Sequence, residues 1–461
     1  MRVALLVAAV GLICVVPVPG SAQAVLRPEQ MRGLAIAMMQ AGDVAQAVAL
    51  ATALLQRDPD DLAALLVLAQ AAYQIGEFAT ARQYAAQAHR VAVPEATRYS
   101  AARLAALAAA QEGRFNTGLI WLRRALTTAP TPQEANETEA DASRLRRLAR
   151  WEAEVELSFA PSSNVNGGAA GAIFEVDGLP VGVLRADAQA LAGWEGEFDL
   201  VLRYKLGESR EVLTTVGVRV NTTGVVLSSE AVAALEADDS DLVAADLETT
   251  LVEFEVTQQR ALRNGAISFS AALGTAWVGG SSDYDYIALN FARDLQFNDS
   301  DTWQIAGAAE RHLDSLNGEL EDDRYGLQAS WSRRRGNGDQ VLAALSLDTV
   351  DSANVNEAQD SLTLQGTYSW SDPLGPALVS LAVGAQLSDF NVYYPEIVGS
   401  VALPGGRQDL RAFTDVTLFF PDWSYAGFAP EVTLSASTTD SNVSRFVRDD
   451  LSISFGYRST F

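Results

Sequence analysis

At Trp151 the hydrophobic rhythm of this chain changes from a period near 3.6 to a period of 2, and the new rhythm runs to the last residue, Phe461. A period of 2 sends alternate side chains to opposite faces of an extended strand, so this stretch builds sheet and must cover one apolar face of it. The first run, Trp151 to Phe159, carries Glu152, Glu154 and Glu156 on one face and apolar residues on the other. Comparable runs recur near 198–204, 212–220, 267–273, 325–331, 341–347, 362–370, 379–387, 410–420, 430–436 and 451–457, with weaker ones at 247–258, 284–293 and 302–311. Together they predict about fourteen strands.

Before that point the chain is alanine-rich and helical. Gly42, Gly76 and Gly113 each close an apolar helical pattern and are followed five residues later by Ala47, Ala81 and Gly118. Pro59, Pro94 and Pro130 then follow in turn, and the glycine spacings are 34 and 37. A period near 34, with small residues where paired helices touch, is the tetratricopeptide pattern. Ala35, Ala69 and Ala106 occupy the matching position of each first helix, and Ala88 and Ala125 recur in the second. Such pairs stack into a curved array whose concave side holds a peptide or a partner helix; Arg32, Tyr73 and Arg103 are the candidate client-binding residues there. A polar stretch over 131–150 ends in Arg144-Leu145-Arg146-Arg147-Leu148-Ala149-Arg150, read as a short basic linker helix.

The N-terminus reads as a secretory signal peptide over 1–24. Met1-Arg2 is basic, Val3 to Val16 is almost unbroken apolar, and Ser21-Ala22-Gln23-Ala24 supplies a small-residue site for cleavage after Ala24. The apolar run falls short of the roughly 20 residues of a spanning helix, and none later reaches that length. An exported protein without a membrane helix is expected, with repeats over 25–130 and the β-structure over 151–461.

Alternating strands serve either soluble sandwiches or membrane barrels, and three features point to a barrel. Aromatics stand near strand ends (Trp151, Tyr204, Trp277, Trp303, Trp331, Trp370, Phe420), as interfacial girdles require. Short connections alternate with longer ones, the pattern of periplasmic turns and external loops. The last strand ends on Phe461, with Tyr457, Phe455, Ile453 and Leu451 on one face. That terminus looks like the signal read by the outer-membrane barrel-assembly machinery. The expected fold is therefore α + β and multidomain: tetratricopeptide-like helical repeats followed by an approximately 14-stranded antiparallel transmembrane β-barrel. The barrel would lie in the outer membrane of a Gram-negative cell envelope, in contact with its lipid, and the helices in the periplasm. The glutamates of the first strand would face the lumen.

Charge narrows the function. The chain has 33 Lys and Arg against 58 Asp and Glu, 33 − 58 = −25, the wrong sign for neutralising phosphates, so no nucleic-acid partner is expected. A single Cys and two His are too few for a structural zinc site or a disulfide framework. No catalytic constellation stands out: His312 reads as a solvated loop histidine beside Arg311 and Asp314, and the three glutamates as a hydrated wall. Arg335-Gly336-Asn337-Gly338 reads as a hairpin turn, and Asp238-Asp239-Ser240-Asp241 as an acidic loop, with calcium the alternative. No enzyme activity, metal or cofactor is expected.

Short segments of the β half then matter in order. Ser163-Asn164-Val165-Asn166 follows the first strand, Gly406-Arg407-Gln408-Asp409 precedes the twelfth, Gly427-Phe428-Ala429-Pro430 opens the thirteenth, and Ser441-Asn442 precedes the last. With repeats ahead of a barrel of about fourteen strands, the chain resembles the surface lipoprotein assembly modifier family, called Slam. The resemblance implies an outer-membrane translocator that moves a client lipoprotein or secreted protein, free or chaperone-bound, from periplasm to cell surface. With about three repeats, the array is short. The alternative is an exopolysaccharide export porin with a tetratricopeptide scaffold, whose acidic lumen would suit a cationic glycan; a third reading is a plain diffusion pore.

Overall fold

A computed structural model describes residues 26–316, 318–395, 401–425 and 428–459. The signal segment with its cleavage site at Ala24, Gly427 and Phe461 lie outside the described residues. Seven α-helices precede the barrel: α1 Pro28–Gln40, α2 Val44–Arg57, α3 Leu62–Gln74, α4 Phe78–Val91, α5 Glu95–Gln111, α6 Phe115–Leu126 and α7 Pro132–Leu148. None of the described helices is long and apolar enough to cross a membrane.

The repeat pattern has a local cause. Each glycine of the 34-residue rhythm ends the first helix of a pair with positive φ: Gly42 at 83°, Gly76 at 83° and Gly113 at 74°. At each, the next residue's N–H bonds back to a carbonyl five residues earlier (Asp43 to Met38, Glu77 to Ala72, Arg114 to Ala109), the Schellman closure that satisfies free helix carbonyls. Ala35, Ala47, Ala69, Ala81, Ala88, Ala106, Gly118 and Ala125 are all buried, so the small residues sit where backbones approach most closely. The chain parts into two compact units between Ala108 and Ala109, inside α5.

The second unit holds α6, α7 and the barrel. Asn116 Nδ2 donates to the Trp151 carbonyl at 2.7 Å, Lys205 Nζ to the Arg147 carbonyl at 3.0 Å, and the Arg123 guanidinium lies 5.5 Å from the Phe428 ring centroid. Burial, and then the nearby Arg146, lower the Arg123 pKa. The segment read as a linker is thus α7, packed with α6 against the barrel rim.

Fourteen antiparallel strands close on themselves. They are β1 Trp151–Ser162, β4 Gly193–Glu208, β5 Val212–Leu227, β6 Thr249–Leu262, β7 Gly265–Val278, β8 Ser281–Gln296, β9 Asp301–Asp314, β10 Leu320–Arg334, β11 Gln340–Ser352, β12 Gln359–Ser369, β13 Leu378–Phe390, β14 Arg407–Phe419, β15 Phe428–Ser441 and β16 Arg448–Ser459. Between β1 and β4 a hairpin forms from β2 Ile173–Val176 and β3 Leu179–Val183, and helix α8 Ser229–Ala237 follows β5.

One face of every barrel strand is apolar and open. Leu289 and Leu364 are 60% exposed, Phe159 59% and Phe455 52%. Closure removes the sheet edges, and an apolar belt around a closed barrel is the surface that acyl chains cover. At the short-turn end this belt finishes in aromatics: Trp151 lies 4.8 Å from Tyr204, Tyr368 4.8 Å from Trp370, and Phe420 stacks at 4.6 Å on Trp423, while Trp303 pairs with Trp331 across β9 and β10. The other end carries the three longest connections, after β1, β5 and β13. The stretches near 312–323, 349–360 and 437–449, expected as longer loops, are at least half strand, and Gly279 and Gly280, with φ of 58° and 74°, turn β7 straight into β8.

Candidate functional site

Three places gather chemistry. In the repeats, α1 and α3 line an open groove of about 880 Å³. Ile36, Met39, Leu62, Leu66 and Val67 give it an apolar floor, and Gln70, Gln74, Asp58 and Asp60 a polar margin. Arg32 enters it with Nε donating to Asp61 Oδ2 at 2.8 Å, a hydrogen bond that raises the arginine pKa. Asp61 is 2% exposed and also accepts from the Ala64 N–H at 3.1 Å, so one carboxylate caps α3 and fixes Arg32. Tyr73 and Arg103 are not in that lining. Tyr73 packs its ring 5.5 Å from Phe78, and Arg103 Nη1 bonds the Tyr99 hydroxyl at 3.1 Å.

The polar face of the barrel strands forms a second place. Glu152, Glu154 and Glu156 share it with Arg203, Val201 and Asp199 of β4, by direct register. Arg203 approaches Glu154 at 3.4 Å; Arg219 holds Asp199 through Nε at 2.9 Å and Nη2 at 2.5 Å; Asn221 donates to Glu197 at 2.8 Å. Carboxylates outnumber cations here, with Glu253 and Glu255 continuing the wall on β6. At mid-strand on β7 to β9 the same face is small and neutral, with Ser268, Ser270, Asn290, Ala306 and Ala308. Towards the loop end it becomes charged again, because Glu310 and His312 of β9 share the face of Ala306 and Ala308.

His312 corrects its sequence reading as a solvated loop residue. It lies in β9, is 1% exposed, and stacks at 4.0 Å on Tyr284. Its Nε2 meets the Glu310 carboxylate and its Nδ1 stands 3.4 Å from Asp322, itself held by Arg324 at 2.8 and 3.0 Å. Tyr286 beside it donates to Glu253 at 2.5 Å. Its ring lies across Gly274, where a Cβ would come within 2.1 Å, so only glycine admits it. Among the described residues no group of three or more His, Cys, Asp or Glu has the arrangement to hold a metal.

At the loop end lie three of the four short segments singled out in the sequence, while Phe428-Ala429-Pro430 opens β15 at the opposite end. Asn164 is buried, accepts from the Gly168 N–H at 2.8 Å and donates to Asp450 of β16 at 2.9 Å. Asn166 bonds the Asp187 and Gln189 carbonyls and the Leu191 N–H, folding the first loop on itself. Asn442 accepts from the Gln408 N–H at 2.9 Å and donates to the Gly406 carbonyl at 3.0 Å. Arg407 sits between Phe390 and Phe446, 3.3 and 3.6 Å from their ring centroids. Phe174, Val176, Tyr393, Leu403 and Val443 form an apolar cluster beneath, so three loops share one small core. Tyr457, Phe455 and Ile453 lie on the apolar outer face of β16, opposite Leu157 and Phe159 or next to them.

Comparison with known proteins adds one family. A tetratricopeptide-repeat family model matches residues 38–110. No curated protein matches the chain. Among solved structures, the N-terminal domain of stress-induced protein-1 from C. elegans is 18% identical, spans 26% of this chain and 94% of its own, and has a TM-score of 0.23. A BenF-like porin from Pseudomonas fluorescens is 10% identical over 68% of this chain and 99% of its own, with a TM-score of 0.36. OccAB3 from Acinetobacter baumannii is 9% identical over 67% and 99%, with a TM-score of 0.35. Likenesses this weak carry no functional argument.

Proposed function

We propose that this protein is an outer-membrane translocator of the surface lipoprotein assembly modifier kind, which moves a client lipoprotein or secreted protein from periplasm to cell surface. The observation that supports it is the joining, in one chain, of a peptide-sized groove on tetratricopeptide repeats to a transmembrane barrel with a hydrated, charged wall. The repeats stand in the periplasm and capture the client, and the barrel offers the route. Folding of the client outside makes the passage directional, because only a difference in free energy between the two sides can. No residue acts as a catalyst and no cofactor takes part. Deletion of the gene, followed by proteolysis of surface proteins on whole cells, tests the reading: at least one exported protein loses surface exposure, and a strain that loses none refutes it. Polysaccharide export is the second reading, favoured by the excess of carboxylates over cations on β1, β4 and β6; the same deletion would then change surface glycan and leave proteins in place.

A further inference from the structure

The barrel is closed by unequal joints. β1 meets β4 over twelve residue pairs, β15 meets β16 over twelve, and β12 meets β13 over ten. Between β1 and β16 the described register runs from Glu156 with Arg458 to Ser162 with Ser452; Leu157 with Tyr457, Ser158 with Gly456 and Phe159 with Phe455 pair within it, and Ala160 and Pro161 leave a gap. The gap has a chemical cause. Ser163 donates its N–H across this joint to the Leu451 carbonyl at 3.4 Å, and N–H groups two residues apart point to the same side of a strand. Pro161 therefore stands where the next donor would be and has none to give. Proline within a sheet belongs to edge strands, and here it sits on the strand that closes the circle.

The two faces of this joint differ. Inside, Glu156, Glu431 and Arg458 surround a cavity of about 70 Å³ left by Ser158, Ser454 and Gly456. Outside, Leu157, Tyr457, Phe159 and Phe455 face the acyl chains. A lipidated polypeptide needs both surfaces at once, because its chain is at home in a polar lumen whereas every methylene of its lipid is unfavourable there. We infer that the β1–β16 joint is a lateral opening, through which the acyl chains of a lipidated client stay in the bilayer while its polypeptide passes along the lumen. The inference rests on the translocator reading and adds the path that the client's lipid takes.

Opposed residues in an antiparallel pair have Cα atoms roughly 4.5–5.5 Å apart, within disulfide range. The sequence has one cysteine, Cys14, so introduced pairs are unambiguous. The test expresses the full chain with Ser162→Cys and Ser452→Cys together with Leu157→Cys and Tyr457→Cys, which staple the joint. Ser361→Cys with Ser388→Cys staples the fully paired β12–β13 joint as the control. Heat-modifiable gel migration confirms that each barrel is folded, and protease shaving of whole cells reads lipoproteins at the surface, with and without reductant. The stapled joint is expected to lower display to the level of the deletion strain, reductant to restore it, and the control staple to leave it intact. Normal display with the joint stapled, or equal loss with the control staple, overturns the inference while the translocator reading stands. Normal display in the deletion strain overturns both.

Discussion

Ala64, Leu65 and Ala81 in the repeats are wholly buried, whereas Leu289, Leu364 and Phe455, no less apolar, lie more than half exposed on the barrel. The repeats draw stability from side chains meeting side chains across short distances, which is why alanine and glycine fill the contact positions. The barrel draws it from a ladder of backbone hydrogen bonds and sends its larger apolar residues outward. Burial, the usual measure of importance, therefore identifies different residues in the two regions.

That contrast can be broken by substitution. Leu65→Ala in α3 is expected to cost about 2–5 kcal/mol, since it leaves a cavity in a packed core, while Leu364→Ala on β12 leaves none for lipid to respect. Guanidinium unfolding of protein reconstituted in vesicles would read both, and equal losses would deny the difference. Leu364→Arg, near the middle of its strand, should cost about 2–4 kcal/mol in a bilayer, falling towards the strand ends. Leu107→Arg on the exposed side of α5 should stay within about 0.5 kcal/mol. If Leu364→Arg is as mild as Leu107→Arg, the belt does not face lipid. Gly76→Ala forces a side chain into left-handed backbone and should cost about 1–2 kcal/mol, seen as a lower helical melting midpoint.

The smallest effect concerns a tie between two turns at the short-turn end. Asp339 accepts from the Ser371 backbone N–H at 2.9 Å, and also from the Tyr368 hydroxyl and Asn337. These bonds, that of the Ser371 N–H foremost, hold its pKa down at about 2. The folded value lies below the unfolded one, so the carboxylate's contribution is complete above about pH 4 and drains away as acid carries the pH down through the folded value. Hydrogen exchange in these two turns should accelerate over that window. Asp339→Asn should remove the pH dependence, and an unchanged acid response in the variant would show that another group is responsible.

Much of the fold was legible because its signals are periodic. The fourteen runs of alternation and the glycine rhythm each repeat a physical requirement, so errors in one copy are corrected by the others. Single events were harder. The β2–β3 hairpin escaped notice within a long loop although Asp177-Gly178, with φ of 51° and 74°, is the turn such a hairpin asks for. Helix α8 was missed although Ser228 caps it, accepting from the Ala231 N–H at 3.1 Å. His312 was misplaced because its burial depends on Tyr284, Glu310 and Asp322, and strand register, not sequence distance, brings Tyr284 and Asp322 beside it. Of Arg32, Tyr73 and Arg103, Arg32 lines the groove between α1 and α3.

The anchoring of α6 and α7 has a consequence for where the chain can be altered. Because Asn116, Arg123 and Arg147 tie this last helix pair to the rim, the boundary between interchangeable and fixed parts falls upstream of it, within α5. Substitutions or an added helix pair before that boundary leave these ties between the last helix pair and the rim untouched.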